Sequence, residues 1–209
     1  MSDVLLDVQS TPATPASGQA VISINTTTKA LQTKNDAGLV RSYGFVNFST
    51  TSQAPVAATR TYITGSNIAI PAGALQVGTL LRWTFTMTKT AAGTAASTFD
   101  IAFGTAGTTA DTARVSFTKP AGTAAGDEGR VVIEAICRGP VGAAGVVVGH
   151  FCLTHNLSAT GHAVIPCVDV TIISSAFDVT TPTNVGVCIT SGASDAITIQ
   201  SCIAEVFNV

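Results

Sequence analysis

The sequence predicts an all-β protein, an antiparallel β-sandwich of the jelly-roll kind preceded by an extended N-terminal arm that carries a β-hairpin. Three observations lead there. Apolar and polar residues alternate with a period of two through several segments, as in strands that bury one face. No segment longer than two turns has helical periodicity, and the continuous apolar runs of a parallel α/β sheet are missing. From Thr79 onward about eight such strands follow one another, the number found in a jelly roll.

Residues 1–45 are the predicted attachment arm and hairpin, and residues 46–209 the predicted body. Thr11 to Gly18 reads TPATPASG, in which Pro12, Pro15 and the glycine favour an extended segment. Ala20 to Asn25 (AVISIN) reads as a short strand and Thr26 to Lys29 as a turn. Ala30 to Lys34 is the return strand, ending at Asn35-Asp36-Ala37-Gly38. A two-stranded hairpin this short does not hold itself together in water. Pro12, Pro15, Val21, Ile22, Ile24 and Leu31 are therefore expected to dock on a partner.

Within the body, Phe45, Phe48, Tyr62 and Ile63 mark short strands leading to Asn67–Ile70, and Pro71-Ala72-Gly73 makes a turn. The stretch from Gly78 to Pro120 then repeats one pattern three times. Leu81, Trp83, Phe85 and Met87 alternate with Arg82, Thr84, Thr86 and Thr88; Phe99, Ile101 and Phe103 alternate with Thr98, Asp100 and Ala102. Ala113, Val115 and Phe117 alternate with Arg114, Ser116 and Thr118. These are expected to be three half-buried strands of one antiparallel unit, with Leu81, Trp83, Phe85, Phe99, Ile101 and Phe103 facing inward.

Thr123 to Gly129 reads as a polar loop. Arg130 to Arg138 follows with Val131, Ile133, Ala135 and Cys137 on one face and Val132, Glu134 and Ile136 on the other. Apolar residues on both faces predict a strand covered twice, by the opposite sheet and by a neighbouring subunit, with Val132 and Ile136 at the subunit contact. Gly145–Thr154, Ala163–Ile173, Asn184–Ile189 and Ala196–Phe207 complete the strand set.

Charged residues make up 11% of the 209-residue chain, against roughly 25% in ordinary soluble domains. So uncharged an exterior predicts a subunit that buries surface on its neighbours. The net charge of −2 and the scattered Lys and Arg form no basic stripe, so no direct nucleic-acid partner is expected. Asp3 and Asp7 in MSDVLLDVQSTP do not fit a secretory signal. No stretch approaches the roughly 20 apolar residues of a membrane span, so a membrane partner is not expected either.

Catalytic signatures are missing from the sequence. Cys137, Cys152, Cys167, Cys188 and Cys202 have no Cys-x-x-Cys pair; they read as buried free thiols, or as partners in a disulfide between neighbouring strands or subunits. His150 and Cys152 share a strand face without a third ligand close in sequence, and His150, His155 and His162 read as structural. Asp127-Glu128 reads as a solvated turn rather than an acid/base pair. There is no G-x-S-x-G elbow and no phosphate loop. No enzyme activity, cofactor or metal is expected.

The segment TPATPASGQAVISINTTTKALQTKNDAGLV, placed before a β-rich body, resembles the N-terminal attachment segments of virion structural proteins of tailed bacteriophages, including fibres and head-decoration proteins. The body is similar to small jelly-roll proteins of the same class through GTLLRWTFTMTKTAAGTAASTFDIAFGTAGTTADTARVSFT, VVVGHFCLTHNLSATG and SAFDVTTPTNVGVCITSGASDAITIQSCIAEVFNV. This resemblance covers most of the chain. It implies a homotrimeric jelly roll on the virion, assembled in the host bacterial cytoplasm. The arm would hold it to the major capsid protein or another virion protein, as a capsid decoration (cement) protein or head-fibre subunit. The alternative is a tail-fibre or receptor-binding module that recognises host surface glycan through loops 90–97, 104–111 and 120–129. No fixed repeat of the kind that builds a fibre shaft is present.

Overall fold

The computed structural model describes residues 8–9, 12–25, 31–36, 38, 40–42, 44–92, 95–123, 126–157, 161–163, 165, 167–194 and 196–207. No helix occurs among them. The first four strands are β1 (Val8–Gln9), β2 (Ala20–Asn25), β3 (Leu31–Asn35) and β4 (Val40–Ser42). They form one small sheet in the order β1-β2-β3-β4. Three short strands follow, β5 (Gly44–Ser49), β6 (Arg60–Tyr62) and β7 (Ile68–Ile70). Between β7 and the long strands, Ala74 N–H donates to the Pro71 carbonyl at 3.1 Å and Gly73 takes φ +68°, closing the expected turn.

The long strands are β8 (Leu80–Lys89), β9 (Ser97–Gly104), β10 (Thr112–Lys119) and β11 (Asp127–Cys137), then β12 (Val147–His155), β13 (Cys167–Ile173), β14 (Thr183–Thr190) and β15 (Ile197–Phe207). Two antiparallel sheets result. One has the order β13-β12-β11-β8-β15-β5; the other runs β10-β9-β14-β6, with β7 also paired to β14. The nested pairs β8 with β15 and β9 with β14 give the rolled connectivity of a jelly-roll sandwich, and β11, β12 and β13 follow as a meander.

The three strands between Gly78 and Pro120 are formed as expected but do not share one unit. β8 pairs with β11 and β15, whereas β9 pairs with β10 and β14, so the chain crosses between sheets after Lys89. Alternation specifies which face of a strand is apolar and leaves its partner open. Leu81, Trp83, Phe85, Phe99, Ile101 and Phe103 all lie in the shared core. Phe151 of the six-stranded sheet sits with its ring centroid 5.2 Å from Phe99 and 5.6 Å from Phe117 of the other sheet. Opposite them is Gly149, where a Cβ would come within 2.8 Å of Val115 Cγ1 and 2.9 Å of Phe117 Cζ. Any side chain here would have to displace Val115 and Phe117 of the facing sheet. The Trp83 indole N–H donates to the Ser66 carbonyl at 2.7 Å, satisfying the one polar atom of that buried ring.

The middle of the five-stranded sheet is buried on both faces, contrary to the half-buried strand expected for Phe99–Phe103. Asp100 and Ala102 were expected outside and are buried. Arg60 reaches across from β6, donating to Asp100 through Nε at 3.0 Å and Nη2 at 2.5 Å, while its Nη1 holds the Thr109 and Asp111 carbonyls. The Tyr62 hydroxyl lies where a Cβ on Gly186 would be, at 1.9 Å, so that ring covers β14. Burial pushes the Tyr62 phenol up and the Cys188 thiol beneath it up to about 12.

Candidate interaction surfaces

The outer face of the six-stranded sheet is built in rows, because strand register places successive residues side by side. One row runs Ile173, Val148, Ile136, Leu80, Phe207 across five strands. The next runs Thr171, His150, Glu134, Arg82, Glu205, and the third Asp169, Cys152, Val132, Thr84, Ile203, Phe48. Ile173, Phe48, Ile136 and Ile203 are 56%, 55%, 48% and 39% exposed. Val132 and Ile136, expected at a subunit contact, thus lie outside the monomer's core, on this open face. Arg82 donates to Glu134 at 2.7 Å and stacks its guanidinium 5.4 Å from the Phe207 ring centroid. Two rows rich in apolar residues flank a charged row in which Arg82 pairs with Glu134, while His150 pairs with Asp169 of the third row.

The expected arm hairpin exists as β2 and β3, paired Ile24 to Leu31 and Ile22 to Thr33. It is not bare, since β1 adds in parallel to β2 and β4 adds antiparallel to β3. The burial of this sheet runs opposite to that of the body. Ser23, Gln32 and Lys34 are buried, with Gln32 Nε2 donating to Ser23 Oγ at 3.1 Å and Lys34 Nζ to the Pro12 carbonyl at 2.8 Å. Pro12 is buried and Pro15 half-buried; Val21, half-buried, shares the face of Ser23 and Lys34. Ile22 and Leu31 stand exposed on the other face, beside half-buried Ile24. β5 begins at Gly44, which with Phe45 pairs to β15, ahead of the expected start of the body at residue 46.

At one end of the sandwich lies a closed ionisable cluster. Asp127, expected in a solvated turn, starts β11 with its carboxylate fully buried. Oδ2 accepts from the His162 N–H and the His155 ring, both at 2.7 Å; Oδ1 accepts from the Glu128 and Leu157 N–H groups. Burial alone would raise this carboxyl, and these donors outweigh it and hold it below the usual carboxylate range. Lys89 donates to the Gly122 and Gly161 carbonyls and Lys119 to those of Pro120 and His162. The His162 ring is buried, and neither ring nitrogen has a partner among the described residues. Burial brings its pKa down to about 4. The cluster ties loops 120–123 and 161–163 to the strand ends through hydrogen bonds made by buried side chains.

Cys137, Cys188 and Cys202 are buried thiols, as expected, whereas Cys152 is half-buried and Cys167 exposed on the outer face. His150 does share that face with Cys152, and its Nε2 lies 2.5 Å from Asp169 Oδ1. Among the described residues no three His, Cys, Asp or Glu side chains converge as metal ligands. Open recesses also mark the surface. A groove of about 400 Å³ at the far end of the outer face is lined by Thr86, Met87, Glu128, Arg130, Thr154 and Gln200. Another, of about 450 Å³, is lined by Tyr62, Asn67 and the loop residues Gly107 and Thr108.

No protein-family model matches the sequence, and comparison with curated proteins finds no match either. Among solved structures the chain is similar to a legume lectin-like domain from Entamoeba histolytica, at 11% identity, over 78% of this chain and 90% of that one, with a TM-score of 0.24. So low a score carries no argument; the all-β sandwich rests on the strand pairing above.

Proposed function

We propose that the chain is a structural subunit of a tailed-phage virion, a capsid decoration (cement) protein or head-fibre subunit. It trimerises through the outer face of the six-stranded sheet and attaches by its N-terminal arm to the major capsid protein or another virion protein, after synthesis in the host bacterial cytoplasm. The observation that carries this reading is the open outer face, where apolar rows from six strands meet solvent in a protein with few charges anywhere. The arm sheet supplies a second apolar patch at Ile22 and Leu31. Closing the body around a three-fold axis places three arms on one particle, so tethering multiplies the affinity of each. The role is mechanical and needs no cofactor.

Removing residues 1–42 leaves β5 and the sandwich intact, and the truncated protein is expected to keep its oligomeric state but stay in the supernatant when genome-free capsids are sedimented. Pelleting of the truncated protein with capsids would overturn attachment by the arm. A second reading, a tail-fibre or receptor-binding module for host glycan, draws support from the groove at the far end of the outer face, whose hydroxyl, amide, carboxylate and guanidinium groups can hydrogen-bond sugar hydroxyls. It predicts sedimentation of the full-length protein with host cells and not with capsids.

A further inference from the structure

We propose that Cys152 and Cys167 form a reversible disulfide between β12 and β13 when the protein meets a low-molecular-weight disulfide such as glutathione disulfide. The register sets Cys152 opposite Asp169 and Thr154 opposite Cys167, so the two cysteines are diagonal neighbours on one face of adjacent strands. Both are free thiols, Cys152 half-buried and Cys167 exposed. Diagonal positions are wider apart than most bridged cysteines, so closure requires one strand to give. Among the described residues β13 pairs with β12 alone, which makes it the edge strand and the one free to do so.

Access decides the order of events. Cys137, Cys188 and Cys202 are at most 1% exposed, which leaves Cys167 as the thiol an oxidant reaches first. Its thiolate attacks one sulfur of glutathione disulfide, breaking that S–S bond and releasing one glutathione thiolate. Cys152 then gives up its proton and attacks the Cys167 sulfur, expelling the second glutathione thiolate. The two protons lost by the protein end on the two glutathiones; two protein thiols are oxidised and one small disulfide is reduced. Cys167 lies in the polar row with Thr154, Arg130 and Thr86, at the opposite end of β13 from Ile173. A partner seated on the apolar rows leaves Cys167 open and covers Cys152, which needs no access to solvent because it attacks the neighbouring Cys167 sulfur. The bond would span the connection that carries His155, Gly161 and His162, fastening the segment that holds Asp127 and Lys89.

The test is incubation of the full-length protein with glutathione disulfide, followed by intact mass and thiol titration in denaturant. Five thiols are expected to fall to three, with a mass loss of two hydrogens and a peptide linking Cys152 to Cys167. Cys152→Ser is expected to stop at a glutathione adduct on Cys167, and Cys167→Ser to keep its four thiols. Retention of five thiols by the parent protein, a stable glutathione adduct on it, or a disulfide-linked dimer on a non-reducing gel would each overturn the proposal.

Discussion

On the outside of the five-stranded sheet, Asp100, Gly186 and Cys188 lie under side chains of their own chain, Arg60 and Tyr62. On the outside of the six-stranded sheet, Ile136, Ile173, Ile203 and Phe48 stand in solvent. Both sheets present the same inner faces to one core, so the contrast does not come from folding demands. Where the chain closes its own outer face it uses a half-buried ion pair and an aromatic ring, which fix one geometry. Where it leaves the face open it offers a broad, flat, apolar surface of the kind that subunits share. The open face is the one through which the proposed trimer packs.

The largest effect is expected where self-covering is removed. Arg60→Met leaves Asp100 buried without its partner and is expected to cost about 3 kcal/mol in denaturant unfolding; a change under about 1 kcal/mol would mean that the covered face does not depend on the pair. Acid comes next. His162, neutral in the fold with a pKa of about 4 against an ordinary 6.5, is charged more readily in the unfolded chain. Its contribution is therefore complete above pH 6.5 and lost as the pH falls toward 4, by roughly 2–3 kcal/mol. Asp127, held low, adds stability above the unfolded carboxylate range that disappears further into acid. His162→Phe is expected to flatten the stability profile between pH 6.5 and 4, and an unchanged slope would remove His162 from the account.

Between the sheets, Gly149→Ala forces its methyl onto Val115 and Phe117 and is expected to cost about 1–3 kcal/mol by thermal or chemical unfolding. The smallest effect belongs to the arm. Ile22→Ser with Leu31→Ser is expected to change stability by less than about 0.5 kcal/mol, as both side chains are exposed, while abolishing co-sedimentation with capsids. Retained attachment would move the arm's contact away from its apolar face.

Much of the sandwich could be read from the sequence because a period of two is a local signal. Leu81, Trp83 and Phe85 declare their face within five residues. What stayed hidden depends on contacts distant in sequence. Nothing near Asp100 announces Arg60, 40 residues earlier, and nothing near Asp127 announces the Leu157 and His162 amides that bury it. A weaker signal was present: Lys89 continues the inward series Trp83, Phe85, Met87, Lys119 continues Val115 and Phe117, and Asp127 heads the series of Val131 and Ile133. A charge at an inward position calls for a buried partner. The arm misleads in the reverse sense, since its alternation is clear and yet Ser23, Gln32 and Lys34 take the covered side. There, the small sheet hydrogen-bonds its polar side internally and leaves isoleucine and leucine outward. The open face at Val132 and Ile136 was visible as a strand apolar on both sides; its neighbours in the rows were not, because they come from positions as far apart in sequence as Phe48 and Ile203.

The central claim is tested most directly by the mass in solution, by light scattering, of the parent protein and of Ile136→Glu, which puts a charge in the middle of the first apolar row. The account predicts three times 21.1 kDa for the parent and a folded species of 21.1 kDa for the variant. A parent protein that stays at 21.1 kDa at every concentration, or a variant whose mass equals the parent's trimer, would contradict it.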